Sequence, residues 1–261
     1  MPARVHLWPG DDHTAQLILL DAAAVPMPEM FRRWAEQLAA QGITTMRTGA
    51  LAPRHAAQAE SAGLHCIQEL ALLEARPPLR PSAAEGSGRA SGRRRGMSLL
   101  GTRRRGGGVR TRPWRDGRSG ELDLADMAAV DHAAFGDLWR LDAAMLRDVC
   151  AATPSFRARV AREGRDGEPG ARRGRPVGFL ISGRAGRIGY VQRLAVHPDQ
   201  HRRGIATALL EDSLGWMQRW GAERVLVNTH IENHAALALY RGHGFVDLPE
   251  RLRVYEGSTR P

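Results

Sequence analysis

Two short stretches of this sequence carry residue types at spacings suited to chemistry on a bound anionic ligand. The first reads Gln192-Arg193-Leu194-Ala195-Val196-His197-Pro198, then Asp199-Gln200-His201-Arg202-Arg203-Gly204-Ile205-Ala206-Thr207-Ala208-Leu209-Leu210. An apolar strand stops at His-Pro, a basic turn follows, and a helix starts at a glycine. The first amides of a helix lack carbonyl partners and lie at the positive end of its dipole, so such a turn suits a pyrophosphate. Gly204 keeps a Cβ out of the ligand's way, and Ala206 keeps that position small. The second stretch is Asn233-His234-Ala235-Ala236-Leu237-Ala238-Leu239-Tyr240-Arg241-Gly242-His243-Gly244-Phe245, a helix opened by an asparagine and closed by Gly-Phe. Read for structure alone, Asn233 is an N-cap and Tyr240 packs beside Phe245.

In this order and at this spacing the two stretches resemble the GNAT superfamily of N-acetyltransferases, over most of Val109 to Glu256. The resemblance implies an α/β fold: an α+β sandwich with a mixed, mostly antiparallel sheet flanked by helices. It implies an acetyl-CoA-dependent N-acyltransferase whose acceptor is a primary amine of a small molecule or a protein N-terminus. Leu194, Ala195 and Val196 are then expected to offer backbone groups to the pantetheine arm. The amides of Arg202, Arg203, Gly204, Ile205, Ala206 and Thr207 are expected to hold the pyrophosphate. Asn233 binds the cofactor's amide portion or caps the helix, and Tyr240 faces the thioester sulfur. The leaving thiolate has a conjugate acid of pKa about 8.5. A phenol within hydrogen-bond reach can stabilise or protonate it. One position departs from the family pattern: His201 stands where Gln or Arg is usual, with Gln200 one residue earlier. The general base is open between His230, Glu232, Tyr190 and an ordered water. A non-catalytic acyl-CoA-sensing or nucleic-acid-docking scaffold is the alternative.

No metal is expected. His230 and His234 are spaced as in a zinc-protease helix, but that motif needs Glu directly after the first His, whereas here Glu232 is one residue later. Cys66 and Cys150 match no ligand or redox spacing and read as spectator thiols in a reducing, cytoplasmic setting. No apolar run approaches the roughly 18 residues of a membrane span, and no secretory leader is evident at Met1-Pro2-Ala3-Arg4.

The elements that must position these stretches follow from periodicity. After residue 108 the pattern predicts a strand near Val109, helices over Leu124–Ala134 and Ala143–Ala151, and strands over Phe156–Ala161, Val177–Ser182 and Gly189–Val196. It continues with a helix over Gly204–Trp220, a strand over Arg224–Asn228, a helix over Asn233–Arg241, and strands near Phe245 and over Leu252–Tyr255. Before residue 77 it predicts strands over Ala15–Leu20, Ile43–Arg47 and His65–Leu73, with helices over Pro28–Ala40 and Pro53–Ser61.

The two parts parallel each other. Trp34 to Leu38, Gly42 to Met46, Ala62-Gly63-Leu64 and Glu69 to Glu74 match Trp216 to Trp220, Gly221 with Arg224 to Val227, Gly244-Phe245 and Glu250 to Glu256. Residues 1–76 therefore read as a degenerate GNAT-like half-domain, 109–256 as the catalytic domain and 257–261 as a tail, a tandem plan loosely similar to mycothiol synthase. The first copy has no basic glycine turn at Ala22 to Pro26, and Ala59 stands where Tyr240 would be. Residues 77–108 read as a disordered Arg/Gly-rich linker. Its neighbourhood explains the net charge of +10: Arg80 to Arg118 holds twelve arginines against Glu85 and Asp116, leaving 26 basic and 26 acidic residues elsewhere. Without interleaved aromatics this run reads as a linker before it reads as a nucleic-acid arm.

Overall fold

The computed structural model describes residues 3–8, 10–19, 24–77, 109–113, 118–163 and 174–260. The expected linker falls almost wholly outside them. The first part consists of β1 (Ala3–Trp8), β2 (Asp11–Leu19), α1 (Pro28–Ala39), β3 (Thr45–Thr48), α2 (Pro53–Ser61) and β4 (His65–Ala75). The second consists of β5 (Val109–Pro113), α3 (Arg118–Trp139), α4 (Ala143–Ala151), β6 (Ser155–Glu163), β7 (Pro176–Ala185), β8 (Ile188–Val196), α5 (Ile205–Arg219), β9 (Arg224–His230), α6 (His234–Gly242) and β10 (Val246–Ser258). A single 3₁₀ turn at Pro198–Gln200 links β8 to α5.

The sequence parallel is a structural repeat. β2–α1–β3–α2–β4 and β8–α5–β9–α6–β10 follow the same course, with β2∥β3 and β8∥β9 as the two parallel pairs. Helices α1 and α5 end at Gly42 and Gly221, α2 and α6 at Gly63 and Gly244, each in the left-handed region. The closing hydrogen bonds also correspond: Ile43 N–H to Leu38 O and Ala222 N–H to Met217 O, then Leu64 N–H to Ala59 O and Phe245 N–H to Tyr240 O. Left-handed backbone favours glycine at such helix ends, which is why the sequence marks them.

All ten strands form one sheet in the order β1-β2-β3-β10-β4-β9-β8-β7-β6-β5. The copies exchange their last strands: β10 pairs with β3 of the first copy, and β4 with β9 of the second. β4 and β10 then pair with each other at the centre. The residues after Glu256, expected as a tail, include the end of β10: Gly257 and Ser258 pair with Met46 and Thr45. Thr259 bonds Thr44 O through its amide and Ile43 O through its hydroxyl. The two strands expected near Phe245 and Leu252 are one strand, whose register shifts between Asp247 and Arg251. The predicted Leu124–Ala134 helix is the middle of the longer α3, which is kinked at Gly136.

Three apolar clusters hold the layers. α5 and α6 cover Ala71 and Leu73 of β4, Val225 and Val227 of β9, Val191 of β8 and Leu180 of β7. On the opposite face α3 and α4 bury Phe179, Ile181 and Ala195. α1 and α2 pack Phe31, Leu38 and Ala59 on Leu17, Met46 and Tyr255, so the first copy's core includes a residue of β10. Helix α5 buries Ile205, Leu209, Leu210, Leu214 and Met217 along one stripe, worth about 10 kcal/mol of gross transfer energy. No helix among the described residues is long and apolar enough to cross a membrane.

Candidate functional site

The parallel strands β8 and β9 pair over only four steps, Ile188↔Arg224 to Val191↔Val227. Beyond that point β8 runs on to Val196 beside β7, and β9 runs on to His230 beside β4, so the two strands part and leave a fork in the sheet. In the first copy β3 is paired with β2 along its whole length. The side of β8 that faces the fork follows from ladder alternation. His197 N–H bonds Val177 O across to β7, so Ala195 and Arg193 also turn their backbone groups to β7. Leu194 and Val196 turn theirs to the fork. Of the three residues expected to meet a pantetheine arm, Leu194 and Val196 present backbone groups there and Ala195 does not.

At the mouth of the fork the chain turns into α5. His201, the position that departs from the family pattern, donates from Nε2 to Val196 O at 3.0 Å and ties the turn to the strand end. Arg202 at φ 57 and Gly204 at φ 74 both lie in the left-handed region. For Arg202 that conformation costs on the order of 1 kcal/mol. The first intrahelical bond runs from Ala208 N–H to Gly204 O at 2.9 Å, so the amides of Ile205, Ala206 and Thr207 precede it. Side chains cap α4 and α6, at Asp142 and Asn233, whereas Gly204 supplies none to α5. A Cβ placed on Gly204 meets nothing within 4 Å. The turn thus has outward amides, a positive helix end and open space in front of both, which fits a phosphate-bearing ligand. The arginines divide the work: Arg203 bonds Gln200 and approaches Glu163 at 3.4 Å, while Arg202 is exposed and unpaired among the described residues.

Tyr240 lies on the α5/α6 side of the fork, 5% exposed, with its ring 5.7 Å from that of Phe245. Its hydroxyl has no hydrogen-bond partner among the described residues. Burial pushes the phenol well above its ordinary value, and the Arg193 guanidinium pulls weakly the other way. The group is therefore a neutral donor at any physiological pH, suited to give a proton and unsuited to take one. Asn233 caps α6 by accepting Ala236 N–H at 3.1 Å, which leaves its amide nitrogen free to donate.

Sequence reasoning missed the support on the opposite face. Arg193 forms a two-pronged bond with Asp131 of α3, at 2.7 and 2.8 Å, and Asp131 is fully buried and also accepts Leu141 N–H at 2.7 Å. Arg193 Nη2 donates to Trp139 O at 2.7 Å. The Trp139 ring meets that of Trp8 edge-on at 5.7 Å, and Arg47 lies over both, bonding Glu256 at 2.8 Å through Nε. Through Trp139 and Trp8 these contacts link β8 to β3 and β10. Arg4 and His6 of β1 reach Asp148 of α4 at 2.8 and 3.3 Å. The only sequence sign of this brace is a charged Arg193 inside an apolar strand.

The candidate bases are spread around the fork. Tyr190 stands on β8 opposite Leu226 and is half-buried. His230 Nδ1 accepts Glu232 N–H at 3.1 Å, so that nitrogen serves as an acceptor. Glu232 is exposed. Among the described residues no group of three or more His, Cys, Asp or Glu could hold a metal ion.

Residues 145–245 match the Acetyltransferase (GNAT) family. The chain is 39% identical over 67 residues to N-alpha-acetyltransferase 30 of Saccharomyces cerevisiae, a stretch covering 26% of this chain and 38% of that protein. It is 35% identical over 72 residues to an N-alpha-acetyltransferase of Saccharolobus solfataricus, covering 27% and 41%. The chain thus spans less than half the length of these curated relatives. The fold over both copies is similar to a tandem GNAT protein from the clavulanic acid biosynthesis pathway, with TM-score 0.62, 14% identity, and coverage of 99% of this chain and 79% of that one. It is also similar to a GCN5-related N-acetyltransferase from Sphaerobacter thermophilus, with TM-score 0.58, 16% identity and coverage of 99% and 76%.

Proposed function

Because the C-terminal region of the chain, residues 145–245, is a domain of the GNAT acetyltransferase family, we propose that the protein transfers an acetyl group from acetyl-CoA to a primary amine. The observation that carries this reading is the fork: a strand edge that turns the backbone groups of Leu194 and the amide of Val196 away from β7 leads straight into an uncapped helix start at Gly204. An extended arm lying along Leu194 to Val196 brings its pyrophosphate to the amides of Arg202 to Thr207 and its thioester to the neck between β8 and β9. Tyr240 lies on the α5/α6 side within electrostatic reach of Arg193 on β8, and in this reading its neutral hydroxyl serves the departing sulfur. Asn233 contributes its free amide nitrogen to the ligand while holding α6 in place.

The N-alpha-acetyltransferase relatives favour the amine of a protein N-terminus as acceptor over that of a small molecule. The first copy, with Ala59 at the Tyr240 position and no fork, is a non-catalytic partner that packs against the active domain, in part through Trp8 and Arg47 beside Trp139. Nothing in the described residues favours a docking role, since the arginine triplets on which it rests lie outside them. Calorimetry with acetyl-CoA, followed by mass spectrometry of an amine and peptide panel incubated with labelled acetyl-CoA, tests the proposal. Tight binding with label on an amine nitrogen is expected; no binding at tens of micromolar would sink it.

A further inference from the structure

Asn228 is an exposed polar residue in the middle of a ten-stranded sheet. It is the first residue of β9 beyond the last β8–β9 pair, Val191↔Val227, so it stands at the neck of the fork. Strand alternation places it on the face opposite Val225 and Val227, which are buried under α5 and α6 with Tyr240. Asn228 and Tyr240 therefore lie on opposite faces of the sheet, with Tyr240 within electrostatic reach of Arg193 on β8, and the side-chain amide of Asn228 has no partner among the described residues. We propose that Asn228 positions the acceptor amine, and that the protein uses the amine already in its free-base form, so that it selects α-amines over lysine side chains. This rests on the acetyltransfer reading above.

The chemistry follows from what an amide can do. Its oxygen accepts an N–H and orients the nitrogen lone pair toward the thioester carbon, but it does not take up a proton at any working pH. The other charged and titratable groups facing this neck are already engaged. Asp131 of α3 is held by Arg193 of β8, and Glu74 of β4, on the same face as Asn228, is held by Arg76 at 2.6 Å and Arg224 at 3.5 Å. Glu69 of β4 is held by Arg253 of β10 at 2.8 Å. Tyr190 of β8 is a phenol, and His230 has its acceptor nitrogen taken by Glu232 N–H. The carboxylate of exposed Glu232 has no partner among the described residues.

With a free amine the reaction needs no outside base. The C–N bond forms as the C–S bond breaks, Tyr240 passes its proton to the sulfur, and the proton leaving the new amide nitrogen restores the phenol through solvent in the fork. One proton moves from nitrogen to sulfur, and none is gained or lost overall. An ammonium acceptor must first shed a proton to water. At about pH 7.5 an α-amine of pKa about 7.9 is roughly a quarter free base, and a lysine of pKa about 10.4 about a thousandth, a difference of about 200-fold.

The test is the pH dependence of kcat/KM for two peptides, one with a free α-amine and one blocked at its N-terminus and carrying a single lysine. The midpoint is expected to move with the acceptor's own amine pKa, and the lysine peptide to be about 200-fold poorer near pH 7.5. A midpoint that stays put for both acceptors means a protein base, Glu232 or His230, and overturns the proposal. Asn228→Ala is expected to raise the acceptor KM at least tenfold with acetyl-CoA affinity unchanged, and an unchanged KM removes the positioning role. Asn228→Asp, which adds a base, is expected to flatten the profile by lifting kcat/KM at about pH 6. Loss of acetyl-CoA binding in the wild type strikes the underlying reading instead, and calorimetry separates that failure from this one.

Discussion

Gly204→Ala separates the fold from the ligand at a single atom. The backbone there has φ 74, and a Cβ meets nothing within 4 Å, so the substitution causes no clash in the free protein. Its structural cost is the left-handed conformation of a non-glycine residue, about 1 kcal/mol. For a chain of this size that lowers Tm by about 3 °C. The same methyl group is expected to crowd the pyrophosphate that is proposed to lie on the amides of Ile205 to Thr207. Losing two charge-assisted amide–phosphate bonds at about 1.5 kcal/mol each removes about 3 kcal/mol, or about 100-fold in acetyl-CoA affinity. Titration calorimetry gives the affinity and a thermal melt of the free protein gives the stability. If Kd changes by less than about threefold while Tm falls as expected, the turn is an ordinary helix start and the cofactor lies elsewhere.

Other substitutions reach different parts of the site. Tyr240→Phe is expected to lower kcat by about 100-fold or more with acetyl-CoA affinity and Tm nearly unchanged, because the hydroxyl has no partner to lose among the described residues; stopped-flow turnover with calorimetry decides, and an unaltered kcat rejects the acid role. Asp131→Asn keeps the shape but leaves the half-buried Arg193 without its counter-charge, and should cost about 2 kcal/mol or more in urea unfolding. A loss below 1 kcal/mol, the scale of an exposed pair, would show that the brace is dispensable. His55 is 4% exposed, with Nε2 unpartnered among the described residues, and burial followed by the Arg54 charge depresses its pKa. The unfolded chain then binds a proton below about pH 6.5 that the folded chain resists, so stability holds above that pH and falls as pH drops below it. His55→Gln should flatten that part of the stability–pH curve measured by denaturant titration.

The parts that could be read from the sequence are those whose cause lies within a few residues. The Gly204 turn, the Asn233 cap and the helix ends at Gly42, Gly63, Gly221 and Gly244 are local conformational demands, and each leaves a residue type behind. The repeat was legible for the same reason. What escaped depends on distant partners. Arg193 and Asp131 are 62 positions apart and Arg47 and Glu256 are 209 apart, and neither pair leaves a periodic trace. β10 read as two strands because Pro249 and Glu250 interrupt its alternation where its register with β4 shifts. Asn228 looked like the polar end of a strand. Its importance follows from β8 leaving β9 one residue earlier, which no spacing in β9 records.

The exchange of β4 and β10 also sets the timing of folding during synthesis. Residue for residue the first copy resembles a unit that could fold as it leaves the ribosome, yet β3 gains its inner neighbour only when β10 is made, and Tyr255 of β10 belongs to the first copy's core. Pairing over about 200 residues carries a high loop-closure cost and slows the search. Until then the inner edges of β3 and β4 are open strand edges, the kind that recruit wrong partners. The nascent chain therefore has reason to depend on a chaperone while its second half is being translated, and a first copy produced alone is expected to aggregate, not to fold.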